Sequence, residues 1–308
     1  MLEKRKKNNS SSRHRILLFS VLCLFVFCLL AQVNPTKKAE PKPAKSKVYL
    51  LHSDVLKKSP LNPDPDAQIL VGNVTFRHDS VYMYCDSACF YEKTNSLEAF
   101  DNVKMVQGDT LFLYGDYLFY DGNTQIAQVR NNVRMENKNT TLLTDSLNYD
   151  RIYNLGYYFD GGTLMDEENV LTSDTLRYNT ASKIANIVGP SDIDSDNNHI
   201  YSELGFYNTQ IGQAELLNRS VLTNEGKQLT GDSLFYDRVK GYGEAFDNVL
   251  FNDTINKNML TGDYCYYNEL TKYAIATQKA VAVDYSQGDS LFMHADTLQM
   301  YTFNLNTD

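Results

Sequence analysis

The sequence predicts an all-β protein, an elongated array of about eight stacked two-strand repeats of about 29 residues. Three observations carry this. A degenerate motif recurs along the chain as CDSACF (85–90), GDYLFY (115–120), TDSLNY (144–149), SDTLRY (173–178), SELGFY (202–207), GDSLFY (231–236), GDYCYY (262–267) and ADTLQM (295–300). Its acids, Asp86, Asp116, Asp145, Asp174, Glu203, Asp232, Asp263 and Asp296, stand 30, 29, 29, 29, 29, 31 and 33 residues apart. The composition suits strands, with 22 Tyr, 15 Phe and no Trp, and only Pro190 among the seven prolines falls inside the array. Proline elsewhere in the array would remove ladder hydrogen bonds.

Taken from the N-terminus, residues 1–31 read as a signal peptide or an N-terminal anchor. Lys4, Arg5, Lys6, Lys7, Arg13 and Arg15 precede the uncharged run Ile16–Ala31. A basic region before an apolar one is an export pattern, and sixteen residues is short for a spanning helix, which needs about 20. Cleavage after Ala31 and retention as an anchor both remain open, and either exports the body. Residues 32–66 read as a Pro/Lys-rich linker, holding six of the prolines. The repeat domain is expected over 67–308.

Within each repeat, positions counted from the acid fall into two parities. Position −3 is apolar throughout, from Met83 to Met293, and position −1 is small or hydroxylated, from Cys85 to Ala295. Position +2 includes Leu118, Leu147, Leu176 and Leu234. Position +4 is aromatic in all but the last copy, as in Tyr120, Tyr149, Tyr178, Tyr207, Tyr236 and Tyr267. Side chains alternate across a strand, so the inward face must switch between −1 and +2, and a bulge or corner at the small-plus-acid pair would do that. The second strand follows a polar turn and carries Val103, Val133, Val249 and Val281 at 17 or 18 residues after the acid. One such unit cannot bury its apolar face alone; stacking makes the core. The eighth copy supplies only its first strand before Asp308, and an open edge strand reads equally as a template for a like-folded partner or as a chain cut short or strand-swapped there.

The residues argue against chemistry. An acid used identically in every copy reads as a turn residue bonded to nearby backbone amides, not as a local catalytic constellation. His14, His52, His78, His199 and His294 occupy unrelated positions, and no metal-ligand, nucleophile-elbow, phosphate-loop or dinucleotide spacing occurs. Gly161-Gly162 precedes no helical pattern. The five cysteines lack CxxC spacing, and Cys85 and Cys89, four apart on one strand, are about 13 Å apart and too far for a disulfide. No catalytic residue, metal or cofactor is therefore expected. Beyond residue 31 the chain holds 23 basic and 37 acidic residues, which excludes the basic footprint of a nucleic-acid binder. The remaining functional surface is the interior, where the +2, +4 and +17 rows form an apolar trough. Closed, it is a core; open, it suits acyl chains.

The repeat LTGDSLFYD…GxAxxNVxF, best seen at 227–251 and 107–135 and spread over about 67–301 behind an export segment, resembles the OstA-like family, the LptA family of lipopolysaccharide transport. The resemblance implies a β-jellyroll open along one side, with lipid A acyl chains in its groove and the saccharide outside. It implies no catalytic residue. It also implies a periplasmic location between inner and outer membrane, and partners that are lipopolysaccharide, other proteins of this fold or a second copy joined by terminal strands, and membrane-associated machinery. Groove candidates on that reading are Leu118, Tyr120, Val133, Leu147, Tyr149, Leu176, Tyr178, Tyr207, Leu234, Tyr236, Val249 and Tyr267. The alternative is a structural, adhesive or polysaccharide-binding solenoid with a closed core and an aromatic ladder outside.

Overall fold

The computed structural model describes residues 46–58 and 66–302. The expected signal or anchor at 1–31 lies outside them, as does most of the expected linker. Every described element is a strand. The first half runs β1 (Tyr49–His52), β2 (Val55–Lys57), β3 (Gln68–His78), β4 (Val81–Tyr91), β5 (Ser96–Gln107), β6 (Leu111–Asp121), β7 (Ile126–Asn137) and β8 (Thr140–Asp150). Short strands follow: β9 (Leu155–Tyr158), β10 (Gly162–Met165), β11 (Val170–Ser173), β12 (Leu176–Asn179), β13 (Ile184–Ile187), β14 (Ser191–Asp194), β15 (Asn198–Ser202), β16 (Leu204–Asn208), β17 (Gln213–Leu217), β18 (Val221–Asn224), β19 (Lys227–Thr230) and β20 (Ser233–Asp237). Long strands return with β21 (Tyr242–Asp253), β22 (Asn258–Asn268), β23 (Tyr273–Asp284) and β24 (Leu291–Tyr301).

These strands form an antiparallel meander folded into two facing leaves. Each long strand crosses from one leaf to the other at a corner, where its pairing register slips, for example between Tyr84 and Ser87 on β4 and between Phe100 and Val103 on β5. The slip moves the buried set from Met83 and Cys85 to Ala88 and Phe90, which is the parity switch the repeat predicts. Leaf 1 holds positions before the acid and leaf 2 those after it. Through the middle of the array the crossing residues leave the ladder, so each pass becomes two short strands: β10 pairs with β11 and β11 with β14 in leaf 1, while β9 pairs with β12 and β12 with β13 in leaf 2.

The repeated acid marks the corner, but its partner differs from the expectation. Asp86, Asp116 and Asp232 are exposed and accept from the side-chain amides of Asn102, Asn132 and Asn248 at 2.7, 2.6 and 2.6 Å, not from backbone amides. Asp263 accepts from Lys279 at 2.7 Å. Each partner lies sixteen residues on, at the second of two successive positive-φ residues, such as Asp101-Asn102 and Asp247-Asn248. Asn and Asp tolerate that backbone region better than most side chains. The turn role expected of the acid belongs instead to the Asx residue five positions later. Asp150, Asn179 and Asn268 each accept from two backbone amides at the leaf-2 turns, and Asp237 accepts from Lys240.

Two smaller differences concern boundaries. β1 and β2 fall inside the expected 32–66 linker and pair with β3. Prolines 35–43 and 60–65 leave a proline-free window between them, and its alternating YLLHSDVLK makes the strands. At β23 the buried residue is Ala280, while Val281 is half-buried, because the bulge there falls between Thr277 and Ala280.

Candidate functional site

The rows at +2, +4 and +17 converge on the space between the leaves. Leu118, Tyr120, Val133, Leu147, Tyr149, Leu176, Tyr178, Tyr207, Leu234, Tyr236, Val249 and Tyr267 all lie there, none more than 4% exposed. They belong to one continuous apolar cluster running from Val48 to Ala280. The interior is filled by the chain's own side chains, with Tyr120, Tyr149, Tyr158 and Tyr178 among the largest fully buried.

Opposite the corner the leaves present two rows of turns. Among the described residues no backbone ladder joins these rows; side chains do. The resemblance implied an open side, whereas here that side is a bridged seam. At the N-terminal end His78 meets Tyr120 through Nδ1 at 2.6 Å, Arg151 donates to the Tyr120 hydroxyl oxygen, and Ser46 bonds His78 Nε2. Asn95 accepts from the Val48 amide at 2.8 Å. Further along, Asn137 donates to the Thr180 carbonyl at 2.7 Å. Tyr207 donates to Asp166 and receives Asn169 at 2.8 Å; Arg238 pairs with Glu168. Asn198 donates to the Tyr236 hydroxyl at 2.7 Å, Tyr267 donates to Asn224 at 3.1 Å, and Lys272 bonds Glu225 at 2.6 Å.

A consistent division of labour emerges in the +4 tyrosines. The ring fills the interior, and the hydroxyl of Tyr120, Tyr207, Tyr236 and Tyr267 reaches the opposite leaf at residues 38 to 43 positions upstream. Tyrosine suits this because it joins an apolar body to a polar tip. Burial pushes all four hydroxyls up, Tyr120 to about 12, so they stay protonated donors at any working pH. Sequence reasoning placed the rings but missed their partners. Asn169 and Asn224 are buried, yet in sequence they look like any other turn asparagine. The offset exceeds one repeat, so alignment of the repeats cannot pair them.

The corner and seam vary together. Sixteen residues after Asp145, Asp174 and Glu203 stand Gly161, Pro190 and Arg219 in place of the amide partner. These are the passes whose strands break. Their corners are held by single backbone bonds, 2.9 Å from Gly161 to Asp174 and 3.4 Å from Asp174 to Pro190 and from Val188 to Thr175, and by buried hydroxyl pairs Ser173–Ser191 and Ser202–Ser220 at 2.7 and 2.9 Å. Facing them, the seam widens into polar-lined cavities of about 270 Å³, bordered by Asn137, Lys138, Lys183 and Arg238, and about 450 Å³, bordered by Asp166, Glu168, Asn198 and Arg238.

The described cysteines, Cys85, Cys89 and Cys265, are free. Burial pushes the Cys85 and Cys265 thiols up to about 12, which leaves them unreactive.

A two-leaf antiparallel β-jellyroll, apolar within and closed along one side by side chains, is the class of protein these features define. The chain matches the OstA-like protein family over residues 45–189 and 192–285 and belongs to that family. Among solved structures it is similar to LptH from Pseudomonas aeruginosa, described as the LptA-homologous periplasmic component of the conserved lipopolysaccharide transport device. That likeness is at 19% identity and a TM-score of 0.31, over 32% of this chain and 76% of that one. No curated protein matches the chain.

Proposed function

We propose that this protein is a periplasmic lipopolysaccharide-transport protein that holds lipid A acyl chains between its leaves and helps carry them from inner to outer membrane. On this reading the N-terminal segment exports the chain or anchors it, and terminal strands stack on proteins of like fold. Family membership supports it. The observation that carries it is the seam: a continuous apolar interior whose one side is closed by side chains alone. Each seam hydrogen bond contributes about 0.5–1.5 kcal/mol, while an acyl chain leaving water gains about 0.8 kcal/mol per buried CH₂. One chain of ordinary length therefore offsets several seam bonds. Backbone ladders on both leaves need not break, because the leaves are free to part along the seam. The groove candidates Leu147, Leu176 and Leu234 then exchange contacts with neighbouring interior side chains for contacts with lipid.

The test uses Asn137→Cys with Thr180→Cys, joined across the seam by a short thiol cross-linker. Lipopolysaccharide loading is followed by photo-crosslinking from Leu147, Leu176 or Leu234. The joined protein should load poorly and the unjoined double variant normally. Equal loading in both, or no interior adduct in a folded protein, overturns the reading.

A closed solenoid that binds glycans is the second reading. One observation favours it: a zigzag of rings on the outer face, Phe235, Tyr242, Tyr266, Tyr273 and Tyr301, with successive centroids 5.9, 5.3, 6.3 and 4.9 Å apart. Their tilted packing turns ring faces toward one another, which leaves little flat surface for a sugar. Binding of lipid-free polysaccharide, with no uptake of lipid, would select it.

A further inference from the structure

Lys138 and Lys183 sit on opposite margins of the seam, Lys138 in the leaf-1 turn between β7 and β8 and Lys183 in the leaf-2 turn before β13. Both border the 270 Å³ cavity, together with Thr140, Thr209, Gln210 and Arg238. The acids around this cavity all have partners. Asp166 accepts from Tyr207 and from the amides of Glu168 and Asn169, Glu167 accepts from Asn139 at 2.5 Å, and Glu168 pairs with Arg238. The two lysines do not: among the described residues neither ammonium has a carboxylate or hydrogen-bond partner. Lys183 is half-buried, and burial, with the charge of Lys138 beside it, holds its ammonium below the usual lysine range. Two unpaired cations converging on one cavity, in an otherwise acidic body, call for an anion. Lysine supplies a compact charge with three rotatable donors, and the Thr140 and Thr209 hydroxyls add donors on the same wall.

We propose that Lys138 and Lys183 form a phosphate-binding subsite at the mouth of the seam, which holds a phosphorylated head group while the attached acyl chains enter between the leaves. The head-group assignment rests on the carrier reading above; the phosphate site itself does not. The geometry supports the division, since the cavity is polar and lies directly over the passes whose corners lack the side-chain clasp. Lys138 and Lys183 belong to opposite leaves, so an anion held by both also spans the opening that its acyl chains would use.

The experiment compares the full chain with Lys138→Gln/Lys183→Gln and with Lys138→Arg/Lys183→Arg. Glutamine is chosen because Gln125 and Gln278 already occupy positive φ in this chain, as Lys138 and Lys183 do. The probes are bisphosphorylated lipid A, the same lipid with both phosphates removed, and inorganic phosphate. The natural chain should bind the phosphorylated lipid about tenfold more tightly than the dephosphorylated one, the scale of one charge-assisted contact. The Gln variant should lose that preference with unchanged affinity for the dephosphorylated lipid, and the Arg variant should restore it. Inorganic phosphate should compete with the phosphorylated lipid alone. An unaltered preference in the Gln variant, or no preference in the natural chain, overturns the subsite and leaves the carrier reading standing. Binding of inorganic phosphate, lost in the Gln variant, with no binding of either lipid, keeps the subsite as a free-phosphate site and overturns the carrier reading. Binding of neither lipid nor phosphate overturns both.

Discussion

At the scale of single residues, the polar groups that matter are those that escape the apolar rows without reaching solvent. Asp237 is buried, and burial alone would push its carboxyl up. The Lys240 amide, the Gln213 side chain and the Lys240 ammonium more than offset this and hold it below the usual range. Asp253 is held down in the same way by Asn256, Lys227 and Ile255 against its burial. A depressed carboxyl contributes stability that is present above the unfolded carboxylate value, about 4, and is lost as pH falls toward the folded one. His78 adds a second step. Burial and then the Arg151 charge lower its pKa, outweighing Asp79 and Ser46. Its neutral ring therefore favours folding fully above about pH 6.5, and that contribution is lost as pH falls below it. Urea midpoints should accordingly hold steady above about pH 7, drop once below about 6.5 and again below about 4. His78→Gln should abolish the first drop. A midpoint flat from pH 7 to 5 in the natural chain, or the same slope in the variant, would contradict this assignment.

At the scale of elements, the residue sixteen positions after the acid tracks whether its own crossing is one strand or two. A clasp of acid to Asn or Lys sixteen residues on accompanies an unbroken crossing in β5, β7, β21 and β23. Gly161, Pro190 and Arg219 accompany split ones. Asn248→Ala removes a 2.6 Å bond and places a β-carbon without a local partner at φ 51. It should cost about 1–2 kcal/mol. Asn248→Gly, which loses the bond but accepts the backbone, should cost less. Denaturant titration of both variants measures this, and equal costs would show that the backbone conformation contributes nothing. The inward rows and the parity switch were legible in the repeat because a strand has period two. The clasp was less legible, because its partner sixteen residues on gives way to Gly161, Pro190 and Arg219 in three passes while the acid itself recurs in every copy. The acid drew attention to the wrong donor, the backbone amides next to it.

At the scale of the whole repeat body, the two ends and the middle differ. Continuous strands β3–β8 and β21–β24 flank a middle in which the leaves are joined by short corners outside the ladder and face two polar-lined cavities of the seam. Local opening should therefore begin there. Native-state hydrogen exchange should show the amides of Asp174, Val188 and Arg219, with backbone bonds of 3.3–3.4 Å, exchanging well before those of β6 and β22. Uniform protection along the array would remove the mechanical basis for opening at the middle. At the far end, Phe292 and Met293 on β24 are 62% and 55% exposed. Met293 stands at position −3, which is buried in every earlier pass from Met83 to Leu260, and it reaches solvent there as expected of an edge strand, whereas Phe292 continues an outward row.

The sequence by itself determined the class, the period, the inward residues and the place of the corner. All of these follow from one strand's alternation repeated at a fixed interval, and local chemistry suffices to read them. It also determined the family, through LTGDSLFYD and its copies. Only the tertiary structure decided how the body closes. The tyrosine hydroxyls, the buried asparagines and the unpaired lysines meet across a seam whose offset is longer than one repeat and set by the stacking and twist of the leaves. No property of a single rung carries that information, so the side chains that bridge the seam could be located only once the leaves were folded together.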